Sequence, residues 1–339
     1  MTEVLKTLFL TTPGTSLHLE GDTVRIHHPE KPGRNVLPLV RIDQFVVWRG
    51  VEVSNELMHR CAKDSRGITW LSRNGRFLHR TTGPQNGNPV VRLEQVRAHD
   101  DESRRLELAK AFLASKIQNY RQLLLRTARD AADERKEKLR EIAQRHADSL
   151  ETLSVSSSVS EVLGVEGKAG QDYFQEGMPK LAPGVFPGRT RRPPKDTFNC
   201  LLSFGYGMLQ VAVEGALEQV GLDPYIGYLH GVRSGQPSLA LDLMEEFRAM
   251  LVDRLVATLY NRGQVKSAHT ESLPSGEVRL TDEGRTMFLE QWSKARERSW
   301  RHSELKRDVP AATLPLIQAR FLARHLRGDQ PSYTPWIAS

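Results

Sequence analysis

The chain has 339 residues, 39% of them hydrophobic, with 48 Lys and Arg against 41 Asp and Glu for a net charge of +7 at neutral pH. These proportions fit a folded globular protein of about two domains and exclude a disordered tail. The basic balance favours a polyanionic partner, nucleic acid before a membrane surface.

Only Cys61 and Cys200 occur, with no CxxC, which supports neither a disulfide framework nor a thiolate metal site and points to a reducing, cytoplasmic compartment. The N-terminal apolar run LFL stops at Thr-Thr-Pro-Gly, so no signal sequence is expected, and no run is expected to approach a membrane span.

Residues 1–85 read as a small β-rich domain. TSLHLEGDTVRIHH alternates apolar and polar residues on both sides of Gly21-Asp22, a hairpin signal, and NVLPLVRIDQFVVW continues with β-branched and aromatic residues. SNELMHRCAKDSRG predicts one helix, capped by Ser54 and stopped at Gly67. ITWLSRNGRFLHR returns to strand around an Asn74-Gly75 turn. TTGPQNGNP marks a boundary, with a linker over 86–100 that is irregular or begins as a linking strand or helix.

From residue 101 to 339 the pattern predicts a larger, all-helical domain, giving an α+β fold. Leu106, Ala109, Phe112, Leu113, Ile117, Tyr120 and Leu124 form one apolar stripe. Lys110, Lys116, Arg121 and Arg126 fall on what reads as the exposed side, either a solvated face or a nucleic-acid surface. LGVEGKAGQDYF places Glu166 among Gly164, Gly167 and Gly170, with Ala169, Gly170 and Tyr173 sharing its helical face. Such a segment is a helix-packing notch with a carboxylate at its rim, or a place where another backbone or a ligand comes close. The Pro- and Gly-rich loop after Phe174 concentrates Arg189, Arg191, Arg192 and Lys195 near its end, a set suited to backbone phosphates. Helices resume at TFNCLLSFGYGMLQ, break at Asp223-Pro224, and end in LIQARFLARHLRGDQ, with Arg320, Arg324 and Arg327 along one side.

On a helical wheel, SLALDLMEEFRAMLVDRLVATLY sets Asp242, Glu246 and Asp253 together as a solvated acidic stripe, whereas Glu245 falls among Ala249, Val252, Val256 and Leu259. A carboxylate in an apolar sector must be protonated, paired with a base or bound to a cation. His230, after the apolar run of YIGYLHG, is either a hydrogen-bonded core residue or a ligand. Glu166, His230 and Glu245 together would suit Mn²⁺ or Mg²⁺, with Zn²⁺ also admissible, and leave positions for water and phosphate oxygens.

Three segments, GVEGKAGQDYF, RRPPKDTFNCLLSFGYGMLQ and GLDPYIGYLHGVRSGQPSLALDLMEEFR, resemble in order those of the CRISPR-associated protein 1 family, the integrase-endonuclease of CRISPR adaptation. The resemblance covers most of the chain. It implies a divalent metal site with ligands at Glu166, His230 and Glu245, where many relatives carry Asp as the last ligand, and a further acidic position at Asp242. It implies DNA as substrate, both a prespacer duplex and the CRISPR leader-repeat, and Arg248 joins the loop residues as a DNA-contact candidate. It further implies a homodimer built through the N-terminal domains and a complex with CRISPR-associated protein 2. LALDLMEEFR looks most like type I-C systems, where a CRISPR-associated protein 4 nuclease often joins. The expected activity is joining of 3′-hydroxyl ends to the array. The alternatives are metal-dependent hydrolysis of branched DNA, or a non-catalytic DNA-binding assembly role.

Overall fold

A computed structural model describes residues 6–72, 75, 77–81, 83 and 89–338. The chain forms two compact units, Met1–Gly87 and Asn88–Ser339. Asn74 and most of the turn-rich segment 82–88 lie outside the described residues.

Among the described residues, the first unit contains two four-stranded sheets and one α-helix. Strands β1 (Lys6–Leu10), β5 (Ile42–Trp48) and β7 (Ile68–Leu71) run parallel, and β8 (Phe77–Thr81) adds antiparallel to β7. In the second sheet β2 (Ser16–Glu20) lies between β3 (Thr23–His28) and β6 (Glu52–Val53), and β4 (Lys31–Pro38) extends from β3. The β2–β3 hairpin closes as predicted, pairing Glu20 with Thr23 across Gly21, whose φ of +59° a side chain would resist. Helix α1 (Asn55–Lys63) is capped by Ser54, which accepts from Leu57 N at 3.3 Å. It ends earlier than Gly67 predicts, because Ser65 takes the positive φ of 56°. Leu17, Val24, Phe45, Val47, Leu57 and Ile68 share one core, so both sheets and the helix bury their apolar faces together.

In the second unit, Pro89–Asp100 forms helix α2 where a linker is expected over 86–100. Its turns bury Val91, Gln95 and Ala98 at helical spacing, so of the forms open to that segment it takes the helical one. Helices α3 (Glu102–Arg129) and α4 (Asp133–Val155) follow. Then α5 (Val159–Asp172) passes through one π turn, Tyr173–Gly177, into the short α6 (Met178–Leu181). Helix α7 (Thr197–Gln219) follows the loop, capped by Asp196, which accepts from Asn199 N at 2.9 Å. Contrary to the expectation that no run approaches a membrane span, α7 is long and apolar enough by length and composition, but it is a core helix and most of that stretch is buried.

Helix α8 (Ser238–Met244) breaks at Glu245–Phe247 and is followed by a π turn, Arg248–Asp253, and α9 (Arg254–Asn261). The remaining elements are β9 (Thr270–Ser272) paired with β10 (Val278–Leu280), α10 (Asp282–Glu297), β11 (Ser299–His302) paired with β12 (Arg307–Pro310), and α11 (Leu314–Leu326). The unit is therefore predominantly but not entirely helical. Its two small hairpins are three or four residues per strand, too short to show a period in the sequence.

Candidate metal centre

The centre is assembled from α3, α5, the segment before α8 and the break after it. Asp242, on the second half of α8, is fully buried. Its carboxylate accepts three successive backbone N–H groups: Tyr228 at 2.6 Å, Leu229 at 3.0 Å and His230 at 2.9 Å. The same carboxylate accepts from His230 Nδ1 at 2.7 Å. Asp242 thus folds the 228–230 segment onto α8 and fixes the tautomer of His230, leaving Nε2 as the nitrogen suited to a ligand. Burial disfavours the imidazolium, but the hydrogen bond and charge of Asp242, then Glu245 and Glu166, outweigh it and raise the His230 pKa above its ordinary value.

Helix α2 and the start of α3 brace this segment from the other side. Gln95 donates to the carbonyls of Asp223 and Ile226 at 2.8 and 3.0 Å and accepts from Asp223 N at 2.9 Å. Arg105 Nε donates to Tyr228 O at 3.1 Å. Gly227 leaves no room for a side chain, since a Cβ there would sit 2.7 Å from the Ser238 carbonyl carbon and 2.8 Å from Asp242 Oδ2.

Glu166 and Glu245 meet around one ammonium group. Lys116 Nζ lies 2.7 Å from Glu166 Oε1 and 3.0 Å from Glu245 Oε2. Glu245 is sealed, with its side chain 2% exposed, whereas Glu166 keeps 27% of its side chain open. Arg248 Nε stands 3.3 Å from Glu245 Oε1. Burial pushes the Glu245 carboxyl up, but Arg248, Lys116 and His230 outweigh it and hold its pKa below the usual value.

These donors fit a hard divalent cation: two carboxylates and an oriented imidazole. Glu245 Oε2 is buried without a hydrogen-bond partner, because Lys116 approaches it without hydrogen-bonding alignment. Among the described residues, no three acid, His or Cys side chains close around a single point. The carboxylates instead share the Lys116 ammonium.

Several expectations need correction. Asp242, Glu246 and Asp253 are not a solvated stripe; all three are fully buried. A helical wheel holds only for one unbroken α-helix, and the break at Glu245–Phe247 followed by the π turn changes its phase. Glu246 is held by Tyr333 Oη, Gln318 Nε2 at 2.9 Å and Trp336 N at 2.7 Å. Asp253 accepts from Tyr173 and Tyr206 hydroxyls.

Lys116 is buried, not on an exposed face. The available signal was its spacing, four residues after Phe112 and four before Tyr120, squarely on the apolar stripe of α3. Gly164, Gly167 and Gly170 do not mark close packing, because a Cβ at each would meet nothing within 4 Å.

The basic candidates separate into two groups. Arg191, Arg192 and Lys195 are exposed on the loop before α7. Arg189 donates to Asn199 Oδ1 at 2.8 Å and, like Arg248, stacks on Tyr206, with guanidinium carbons 5.6 and 4.9 Å from the ring centre. Asn199 also donates to Gly188 O at 2.7 Å and accepts from Thr190 N at 3.1 Å, tying the loop to α7.

Residues 8–294 match the family model of CRISPR associated protein Cas1. The chain is 41% identical to a CRISPR-associated endonuclease Cas1 of Moorella thermoacetica, over 98% of both chains. Its fold is similar to that of a CAS1 protein from Thermotoga maritima, with a TM-score of 0.80 and 25% identity over 96% of this chain and 98% of the other. It is also similar to a casposase bound to integration product, with a TM-score of 0.82 and 25% identity over 97% and 93% of the two chains. The chain belongs to the Cas1 family.

Proposed function

We propose that the protein joins the 3′-hydroxyl ends of a short prespacer duplex to a CRISPR leader-repeat by metal-dependent transesterification. The observation that carries this reading is the pair of carboxylates, Glu166 and Glu245, gathered around the Lys116 ammonium, with an imidazole oriented by Asp242. The similarity to a casposase bound to integration product favours strand joining over hydrolysis as the principal reaction. Mg²⁺ or Mn²⁺ bound by Glu166, Glu245 and His230 Nε2 would polarise the phosphodiester as a Lewis acid.

This chain's own residues do the rest. Asp242 keeps the proton on Nδ1, so that Nε2 presents a lone pair to the centre. The buried end at Glu245 keeps water from one side, and the partly exposed end at Glu166 would be the side from which DNA approaches. In the reaction the prespacer 3′-oxygen forms a bond to phosphorus while the target strand's P–O3′ bond breaks, so that one 3′-hydroxyl is consumed and one released. No covalent enzyme intermediate is required. Arg191, Arg192 and Lys195 would hold backbone phosphates and add little base reading. Arg189 and Arg248 would act indirectly, as supports of the loop and of Glu245.

The same reading carries a homodimer through the N-terminal unit, a complex with CRISPR-associated protein 2, a type I-C context with CRISPR-associated protein 4, and a cytoplasmic setting. The test is strand transfer of a labelled duplex into a leader-repeat plasmid, with and without Mg²⁺ or Mn²⁺ and the companion protein. His230→Ala should lose joined product while retaining DNA binding; joining at the wild-type rate would sink the assignment. Cut but unjoined strands in the wild type would favour the hydrolytic reading.

A further inference from the structure

Lys116 puts a positive charge between the two carboxylates, where a divalent cation is also required. Its aliphatic stem is buried on the apolar stripe of α3, so this ammonium is not a surface charge that drifted into contact. Nζ lies 2.7 Å from Glu166 Oε1 and 3.0 Å from Glu245 Oε2, and Arg248 balances the other oxygen of Glu245. Two carboxylates thus face two fixed cations. Without Lys116, two buried or half-buried anions would repel each other in a setting of low dielectric.

We propose that Lys116 is a tethered placeholder for the metal: its ammonium closes and neutralises the metal-free centre, and a divalent cation binds only by displacing it. The inference rests on Glu166 and Glu245 being the metal-holding carboxylates. An ammonium and a divalent cation drawn to the same two oxygens repel each other, so a cation seated between Glu166 and Glu245 favours the departure of Lys116. The two ends of the clamp differ in a way that gives the ammonium an exit. Glu245 is sealed whereas Glu166 is partly open, so Lys116 leaves on the Glu166 side. Apparent metal affinity is then lowered by the fraction of molecules in which Lys116 occupies the centre. The device keeps the acidic centre folded without metal and couples metal entry to a side-chain movement at the open, Glu166 end.

The test is calorimetric titration of DNA-free protein with Mn²⁺, comparing wild type, Lys116→Met, Glu245→Gln and the double variant. Lys116→Met should bind Mn²⁺ about tenfold or more tightly than wild type, and Glu245→Gln should abolish the gain in the double variant. Thermal melts should show Lys116→Met less stable than wild type without metal and no less stable with saturating Mn²⁺. Equal or weaker Mn²⁺ binding by a folded Lys116→Met, with Glu245→Gln still losing the metal, overturns the placeholder but keeps the metal assignment. Mn²⁺ binding untouched by Glu245→Gln overturns both.

A wild-type measurement guards against a variant that fails to fold. Brief acylation of lysines, read by peptide mass spectrometry, should leave Lys116 protected without metal and label it when Mn²⁺ is present. Equal labelling in both states overturns the proposal.

Discussion

Asp242 accepts a hydrogen bond from His230 Nδ1 at 2.7 Å while also receiving the backbone N–H groups of residues 228, 229 and 230. One buried carboxylate therefore sets both the path of the chain and the orientation of the imidazole. Asp242→Asn would retain a carbonyl oxygen but turn an amide donor toward groups that are already donors. It should weaken Mn²⁺ binding by about 10–100-fold in calorimetry.

The pH profile separates that effect from simple loss of structure. If His230 ligates the metal as proposed, it must be neutral to do so, and its pKa is held above the ordinary value by Asp242, Glu245 and Glu166 against the effect of burial. Metal affinity should therefore climb as pH rises through that raised value, and in Asp242→Asn the climb should move to lower pH. The linked stability has the opposite sense: what the His230–Asp242 pair contributes is complete below the ordinary histidine pKa and is lost as pH rises through the raised one. A variant whose metal affinity climbs at the wild-type pH would contradict this role for Asp242.

Gly227 and Gly167 should respond oppositely to alanine. At Gly227 the added methyl meets the Ser238 backbone and Asp242 Oδ2 at under 3 Å, and neither can yield without moving α8. Gly227→Ala should cost about 1–3 kcal/mol and weaken Mn²⁺ binding along with it. At Gly167 the methyl meets nothing within 4 Å on an exposed helical turn, so Gly167→Ala should raise stability by up to about 1 kcal/mol. Denaturant melts of the two variants are sufficient. If DNA uses the open face, Gly167→Ala should also lower strand transfer despite being more stable.

The contrast shows what was legible in the chain before folding. Alternation around Gly21, the apolar stripe of α3 and the odd position of Glu245 are local periodic signals, and each corresponds to an observed element or burial. The burial of Asp242, Glu246 and Asp253 was not legible. It depends on Tyr173, Tyr206, Gln318, Tyr333 and the backbone of residues 228–230 and 336, all distant in sequence, and on a helix break that shifts the wheel. Lys116 illustrates a different obstacle. Its spacing put it on the buried stripe, but its charge argued for water, and only the two carboxylates brought by other segments reconcile the two.

Glu246 is buried and, among the described residues, no cation pairs with it; burial raises its pKa to about 8 even though Tyr333, Trp336 N and Gln318 oppose the shift. In the unfolded chain the same group titrates in the ordinary carboxylate range. The folded protein therefore binds the extra proton between those values, and stability should fall as pH rises from about 4.5 to about 8. Glu246→Gln keeps an oxygen for Trp336 N and Gln318 Nε2, and places its amide against the Tyr333 hydroxyl oxygen. Melting temperatures at pH 6 and pH 9 should differ less in this variant than in the wild type. An unchanged difference would show that Glu246 is not the group responsible.

Arg191, Arg192 and Lys195 stand exposed on a loop whose base is held by Asn199, so their removal should leave the fold intact. If each holds one backbone phosphate, each substitution by alanine removes about 0.9 from the slope of log affinity against log salt for duplex DNA, whatever the sequence. Arg189→Ala should behave differently, because Arg189 is spent on Asn199 and the Tyr206 ring. It should loosen the loop and lower thermal stability, with a smaller change in slope per residue. Salt titrations of DNA binding on the four single variants distinguish phosphate contacts from loop supports. Equal slopes in wild type and Arg191→Ala, Arg192→Ala and Lys195→Ala would remove the loop from the DNA path.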